Sequence, residues 1–196
     1  NEAWRKSITL GSVLCSKADI QRRINLGYAA FNNYKKAWSD KLPLNKRLIL
    51  YNALVVSVLM YNSSCWAVPK IFLEKLDVVH RRHLRTILNI KYPGVISNKN
   101  LYKRCNAEPL SEKVARSRWR MLGHVLRGPI DGPAFSSLIF AINTLDLPGR
   151  RGRPQSNLFS LIVHDLCKRN LYLNNIFDLH YLRNLSYDKR YWRKLQ

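Results

Sequence analysis

Lys113, Arg116, Arg120, His124 and Arg127 follow one another at intervals of three, four, four and three residues. On an α-helix that spacing gathers side chains into one stripe. Five cationic or potentially cationic groups in register repel one another unless an anion faces them, and only Glu112 lies nearby on the same stretch. Spaced cations on a helix can follow the phosphates of a nucleic-acid backbone. The plainer alternative is a solvated basic face, and spacing alone leaves both open.

A second group, His80, Arg81, Arg82, His83 and Arg85, is too dense to share one helix face. Arg82 and Arg85 stand three apart and can contact one strand together, with Arg81 beside them. A phosphate-contacting surface and a solvated surface are equally open here. Metal binding by His80 and His83 is disfavoured, because no carboxylate or thiol stands at a supporting spacing. A third segment runs Pro148-Gly-Arg-Arg-Gly-Arg-Pro154. Its Gly and Pro keep the backbone extended and thin, so that Arg150, Arg151 and Arg153 can enter a groove. Arg-Gly-Arg-Pro resembles the core of minor-groove AT-hook peptides, in which arginine is drawn to the negative potential of a narrow A·T groove. A simple basic turn leading into the next helix is the competing reading.

Catalytic constellations are missing from the sequence. The 12 acidic residues are scattered, with the pairs Glu74/Asp77 and Glu108/Glu112 each beside lysines. No Asp-Asp pair offers to hold two magnesium ions, no Gly-rich phosphate loop precedes a helix, and no Gly-x-Ser-x-Gly elbow occurs. Cys15, Cys65, Cys105 and Cys167 lie far apart, without a Cys-x-x-Cys, and only Cys167 has a histidine close by, His164 three residues before it, too few for a metal site. A zinc knuckle or a disulfide framework is therefore not expected; four reduced thiols in an intracellular protein are. The expectation is a chain without a catalytic site, metal or cofactor of its own.

The elements that must position these cations are read from periodicity and breakers. Residues 4–15, partly β-branched and interrupted by Gly11, suit a strand or hairpin end. Asp19 then opens an amphipathic helix with Ile20, Ile24, Tyr28 and Phe31 on one face. Pro43 breaks the chain, Asn45 can cap an apolar helix from Lys46 to about Met60, and Pro69 suits the first turn of a helix to about Ile90. Lys91-Tyr-Pro-Gly reads as a turn. Asn98–Cys105 is a short helix, and a longer one begins at Pro109 or Leu110 and ends at Gly128-Pro129. That last helix has Val114, Ala115, Met121, Leu122, Val125 and Leu126 on its core side. Residues 130–156 read as a linker or extended arm, Asn157–Arg169 as a helix, and Asn175 to the end as one or two more. Leu48–Val68 is the only membrane-span candidate. Its polar residues leave less than the ~20 apolar residues a bilayer needs, so a buried bundle helix is the simpler reading.

Across 196 residues the 34 Lys and Arg against 12 Asp and Glu give a net charge of +22, and each half of the chain carries +11. The charge belongs to the whole body. With 46% apolar residues the chain is too hydrophobic for a disordered polycation. A folded body with this excess needs a polyanionic partner, nucleic acid first. A lipid surface is disfavoured, because no cationic amphipathic terminal helix is present. The opening Asn-Glu-Ala-Trp reads as part of a longer chain.

Several segments, in order, resemble the C-terminal third of a non-LTR (LINE-type) retrotransposon reverse transcriptase. Leu10-Gly11-Ser12, Asp19-Ile20 and Arg23-Ile24 are similar to the passage where the family's primer-grip hairpin enters the thumb. Lys46 through Leu59-Met60-Tyr61 and Trp66 resembles its long thumb helix, and His80, Arg81 and Arg85 the arginine-rich helix that follows. Gly123-His124-Val125-Leu126-Arg127 matches the family's Gly-His-x-x-Arg. Gly152-Arg153-Pro154 and Asp188-Lys189-Arg190-Tyr191-Trp192-Arg193 match its Gly-Arg-Pro and its closing Asp-Arg-x-x-Trp-Arg. The family has Gly and Glu where this chain has Asn62 and Ser64.

The resemblance implies a polymerase part that grips nucleic acid, with the magnesium-holding aspartates in an upstream palm. The expected architecture is mainly α. It comprises the end of a primer-grip-like hairpin (1–17), a polymerase thumb-like helical bundle (18–128), a basic Gly/Pro-containing arm (129–156) and a small helical C-terminal extension (157–196). The implied partners are an RNA–DNA hybrid or duplex DNA and the upstream palm and fingers of the same polyprotein. The implied setting is a nuclear or cytoplasmic ribonucleoprotein. The alternative is a stand-alone basic helical DNA- or RNA-binding adaptor of transposon origin without a polymerase role.

Overall fold

The breakers and amphipathic periods resolve into a mainly α-helical chain in a computed structural model that describes residues 7–39, 41–143 and 157–195. It opens with a short antiparallel hairpin, β1 (Ile8–Thr9) and β2 (Ser12–Val13), with Ile8 opposite Val13. Its two turn residues, Leu10 and Gly11, have φ of 49° and 79°, the left-handed geometry that suits the twist of a two-residue hairpin loop. The residues then divide into two units, Asn1–Val114 and Ala115–Gln196, each with its own core. The expected bundle ended at 128; the division instead falls inside one continuous helix.

In the first unit, α1 (Ser16–Asn33) is followed by a 3₁₀ turn (Lys35–Trp38) and α2 (Leu44–Tyr51). A π-helical turn (Asn52–Val56) and α3 (Ser57–Leu59) complete the apolar helix expected from Lys46 to about Met60. The wider π register lets adjacent Val55 and Val56 both face the core. Asn45 does not cap α2. Pro43 occupies that position, and the Asn45 side chain accepts only from the neighbouring Lys46 N–H. Gly27 brings α1 against Leu59, for a Cβ there would lie 2.9 Å from Leu59 Cγ. After a 3₁₀ turn (Ser63–Cys65) come α4 (Lys70–Ile87) and α5 (Asn98–Cys105). Pro69 stands just before α4 as its N-cap residue. Asp77 on α4 accepts from Ser111 N at 3.0 Å and Ser111 Oγ at 2.6 Å. A serine, not a lysine, is the partner this carboxylate finds, and the contact ties α4 to the start of α6 (Leu110–Arg127).

The second unit holds the rest of α6, α7 (Pro133–Asn143), α8 (Leu158–Cys167), α9 (Ile176–Tyr187) and α10 (Lys189–Lys194). α7 corrects the expected arm. Gly and Pro flank the segment and disguised it, yet Phe135, Leu138 and Ile142 recur at helical spacing and are buried. Asn157, Asn175 and Asp188 cap α8, α9 and α10 with side-chain oxygens that accept first-turn N–H groups. All four cysteines are free. No helix among the described residues is long and apolar enough to cross a membrane.

Candidate nucleic-acid interface

α6 does not expose its cationic stripe evenly. Its buried side carries Arg118, Trp119 and Gly123 as well as the apolar residues, because each has a dedicated partner in the second core. Arg118 donates from Nε to Asp165 Oδ2 at 2.7 Å, with Nη2 also 2.7 Å away, a buried ion pair between α6 and α8. Trp119 stacks on Trp192 with ring centroids 4.3 Å apart. Each indole N–H points at the other's carbonyl: Trp119 Nε1 donates to Trp192 O at 3.0 Å, and Trp192 Nε1 to Trp119 O at 3.4 Å. Gly123 is the surface on which Trp192 rests, since a Cβ there would meet Trp192 Cδ1 at 2.9 Å. The guanidinium of Arg169 covers Trp119 at 4.5 Å and donates to Asp165 O.

This packing sets α10 beside the C-terminal half of α6. Between them lies a cleft of about 620 Å³ lined by Arg120, His124, Arg127, Lys189, Trp192 and Arg193. Arg120, His124, Lys189 and Arg193 are exposed. Arg127 is half-buried and fixed by a 2.9 Å bond to Ser186 O. No carboxylate is among the described lining residues, and the nearest in sequence, Asp188, is occupied in capping α10. Three of the five stripe residues meet here. Arg116 is half-buried outside the lining. Lys113 belongs to the first unit, where burial lowers the pKa of its ammonium from the ordinary lysine value.

In the first unit Arg81, Arg82 and Arg85 line one depression of about 500 Å³ with Val78, Thr86, Ile90 and Asn98. Arg85 is held by Asn98 Oδ1 at 2.7 Å, while Arg82 is exposed. The two histidines of that cluster face the other way. His80 and His83 are 1% and 2% exposed, and their Nδ1 atoms lie 2.9 and 3.3 Å from the hydroxyl of Tyr51. Burial above all, then Lys113, His83 and Arg81, pushes the His80 pKa down to about 3; burial and Arg82 push that of His83 to about 4. They are neutral core residues at pH 7, not part of the basic surface. Arg150, Arg151 and Arg153 lie outside the described residues. Among those described, no group of three His, Cys, Asp or Glu is placed to hold a metal ion.

The first motif group works as a clamp. Asp19, expected to open α1, is buried in its first turn and accepts from Val13 N and Trp66 Nε1, both at 2.9 Å. Arg23 lies 3.7 Å from the same carboxylate and donates to Gly11 O and Ser12 Oγ. Asn62 adopts φ 57°, taking the left-handed turn where the family resemblance has glycine. Lys189 and Arg193 were missed as site residues by reading the chain alone. The signal lay in the pairing of a mid-helix glycine with a distant tryptophan, which requires contact to interpret. Comparison with protein-family models, curated proteins and solved structures returned no match.

Proposed function

We propose that this chain is the nucleic-acid-gripping C-terminal part of a non-LTR retrotransposon-type reverse transcriptase, holding a template–primer or target duplex by its backbone. The observation that carries the proposal is the cleft between α6 and α10. Two segments that resemble that family, Gly123–Arg127 and Asp188–Arg193, are separated by 60 residues in the sequence yet supply walls of one concavity with no carboxylate among its described lining residues. Trp192 and Gly123 are the supports; Arg120, His124, Arg127, Lys189 and Arg193 are the contacts. Cations on two rigid helices meet phosphates without reading bases, which suits a polymerase part that must accept every sequence. The depression of Arg81, Arg82 and Arg85 offers the first unit a second set of backbone contacts. The magnesium and its aspartates belong to the palm that the resemblance places upstream, and a nuclear or cytoplasmic ribonucleoprotein is the corresponding setting.

The test is binding to an RNA–DNA hybrid and to duplex DNA across a salt series. With six phosphates neutralised, log K falls against log[salt] with a slope of about −5. Arg120→Ala with Arg193→Ala reduces that slope by about 2 and weakens all sequences alike. A salt-insensitive affinity, or an unchanged slope in the double variant, removes the cleft from the account. Sequencing the coding region directly upstream separates the polymerase reading from the stand-alone adaptor: a Tyr/Phe-Ala-Asp-Asp box is expected.

A further inference from the structure

The arginines of the first unit are gathered differently from the cations of the cleft. Arg81, Arg82 and Arg85 span about 100° of the circumference of α4, and all three line one depression of about 500 Å³. No carboxylate is among the described residues that line it, and the nearest in sequence, Asp77, is bonded to Ser111. A guanidinium carries five N–H donors. Arg85 commits Nη2 to Asn98 Oδ1 at 2.7 Å, and Arg82 commits Nη1 to the Tyr28 hydroxyl at 3.4 Å. These bonds orient the two forks without exhausting them. Asn98 is also the first residue of α5, whose N-terminal partial positive charge adds to the field at that rim.

An apolar depression adjoins the basic one. Val78 lines both, and the second, of about 410 Å³, has Ile71 in its wall. Val78 and Ile71 are 55% and 60% exposed and stand seven residues apart on one face of α4. Glu74, on the same wall, pairs with Lys70 at 3.9 Å. Exposed branched side chains beside three arginines match a ligand that is anionic at one point and apolar next to it. The flank of a duplex does not meet that requirement, because it presents sugar and phosphate along its whole length. The end of a duplex does. Its last base pair exposes a flat face with no stacking neighbour, and the strand that stops there can carry a terminal phosphate.

We propose that α4 holds the end of a nucleic-acid strand, with a terminal phosphomonoester on Arg81, Arg82 and Arg85 and the last base pair over Val78 and Ile71. The inference rests on the nucleic-acid reading above and sharpens the role given there to these arginines, from further backbone contacts to recognition of an end. An internal phosphodiester carries a single negative charge. A monoester carries about −1.5 to −2 at pH 7 and three strong acceptor oxygens, which planar guanidinium forks can take two at a time. The basic cleft of the second unit, whose cations come from two helices, has no such single focus and no exposed aliphatic neighbour in its lining.

The experiment measures binding of the full chain, by fluorescence anisotropy, to RNA–DNA hybrids of one length and sequence. The ends carry a 5′-phosphate, a 3′-phosphate or hydroxyls only, and a further hybrid is closed by loops into a dumbbell without ends. A phosphorylated end is expected to bind about tenfold more tightly than the hydroxyl-ended hybrid, the worth of one charge-assisted hydrogen bond, and the dumbbell no more tightly than the hydroxyl-ended one. Arg82→Ala, and Val78→Glu, which sets a carboxylate among the arginines, change exposed positions and are expected to abolish that preference. Arg120→Ala with Arg193→Ala is expected to weaken every hybrid and keep the ratio. Equal affinity for phosphorylated and hydroxyl ends, or a preference that survives both α4 variants, overturns the assignment. Displacement of the phosphorylated hybrid by a phosphoserine peptide as readily as by its own unlabelled copy would also overturn it, in favour of a protein partner. Weak binding that still depends on the terminal phosphate would count against the basic cleft alone, and tight binding indifferent to that phosphate against the strand-end site alone.

Discussion

Trp192 reaches the second core only because position 123 has no side chain. A methyl group there would overlap the indole, whose Cδ1 would lie 2.9 Å from it. Overpacking of this kind costs about 1–3 kcal/mol. Gly123→Ala is therefore expected to lower the thermal midpoint of the second unit and to change the near-ultraviolet signal of the Trp119–Trp192 stack; an unaltered spectrum and midpoint would contradict the packing. His80 and His83 give the first unit its own signature. Their folded pKa values of about 3 and about 4 lie below the unfolded value of 6.5, so the unfolded chain takes up protons first as pH falls. The stability they contribute is complete above pH 6.5 and is lost as pH drops from there through about 4 for His83 and about 3 for His80. At pH 5 the loss amounts to about 2 kcal/mol per histidine. Urea unfolding at pH 7.5 and 5.0 should register it, and His83→Phe should flatten roughly half of the difference.

Elements in this chain are closed by side chains that tolerate unusual backbone. Asn89, Asn106 and Asn170 follow or end α4, α5 and α8 with φ of 54°, 44° and 55°, the left-handed position that glycine more often fills. The hairpin has a stronger tie. Asp19 joins β2, α1 and the Trp66 turn through two hydrogen bonds and the Arg23 ion pair, all with the carboxylate 1% exposed. Removing one member of a buried ion pair strands the other, at a cost of about 3–5 kcal/mol. Asp19→Ala is expected to destabilise the first unit by that amount and to raise amide exchange at Val13; protection at Val13 equal to the parent would show that the hairpin is held otherwise. The helices themselves were legible: apolar residues at helical spacing mark α1, α4, α5 and α6 to within a few residues. α7 was hidden because Gly132 and Pro133 read as punctuation, although a proline at a helix start costs nothing.

Over the whole molecule, +22 distributed evenly between the two halves makes electrostatic attraction to a polyanion the dominant long-range force. The same reasoning extends to Arg150, Arg151 and Arg153. A grip on backbone phosphates predicts that Arg151→Ala with Arg153→Ala weakens A·T-rich DNA, G·C-rich DNA and RNA–DNA hybrid by similar factors at equal salt. An AT-hook role predicts loss on A·T-rich duplex alone, because the wide, shallow minor groove of an A-form-like hybrid offers arginine no comparable trap.

Composition and periodicity determined the mainly helical class, the basic character and the stripe on α6, because each depends on residue type and local spacing. Tertiary structure decided which cations act together. Arg118 and Arg120 are two residues apart, yet one is sealed against Asp165 and the other opens into the cleft. His80 and Arg81 are neighbours, yet one is core and the other lines the basic depression. Lys189 and Arg193 joined the site only through the Gly123–Trp192 contact. Burial and partnership depend on what the remote chain places opposite a residue, and local spacing carries no record of that.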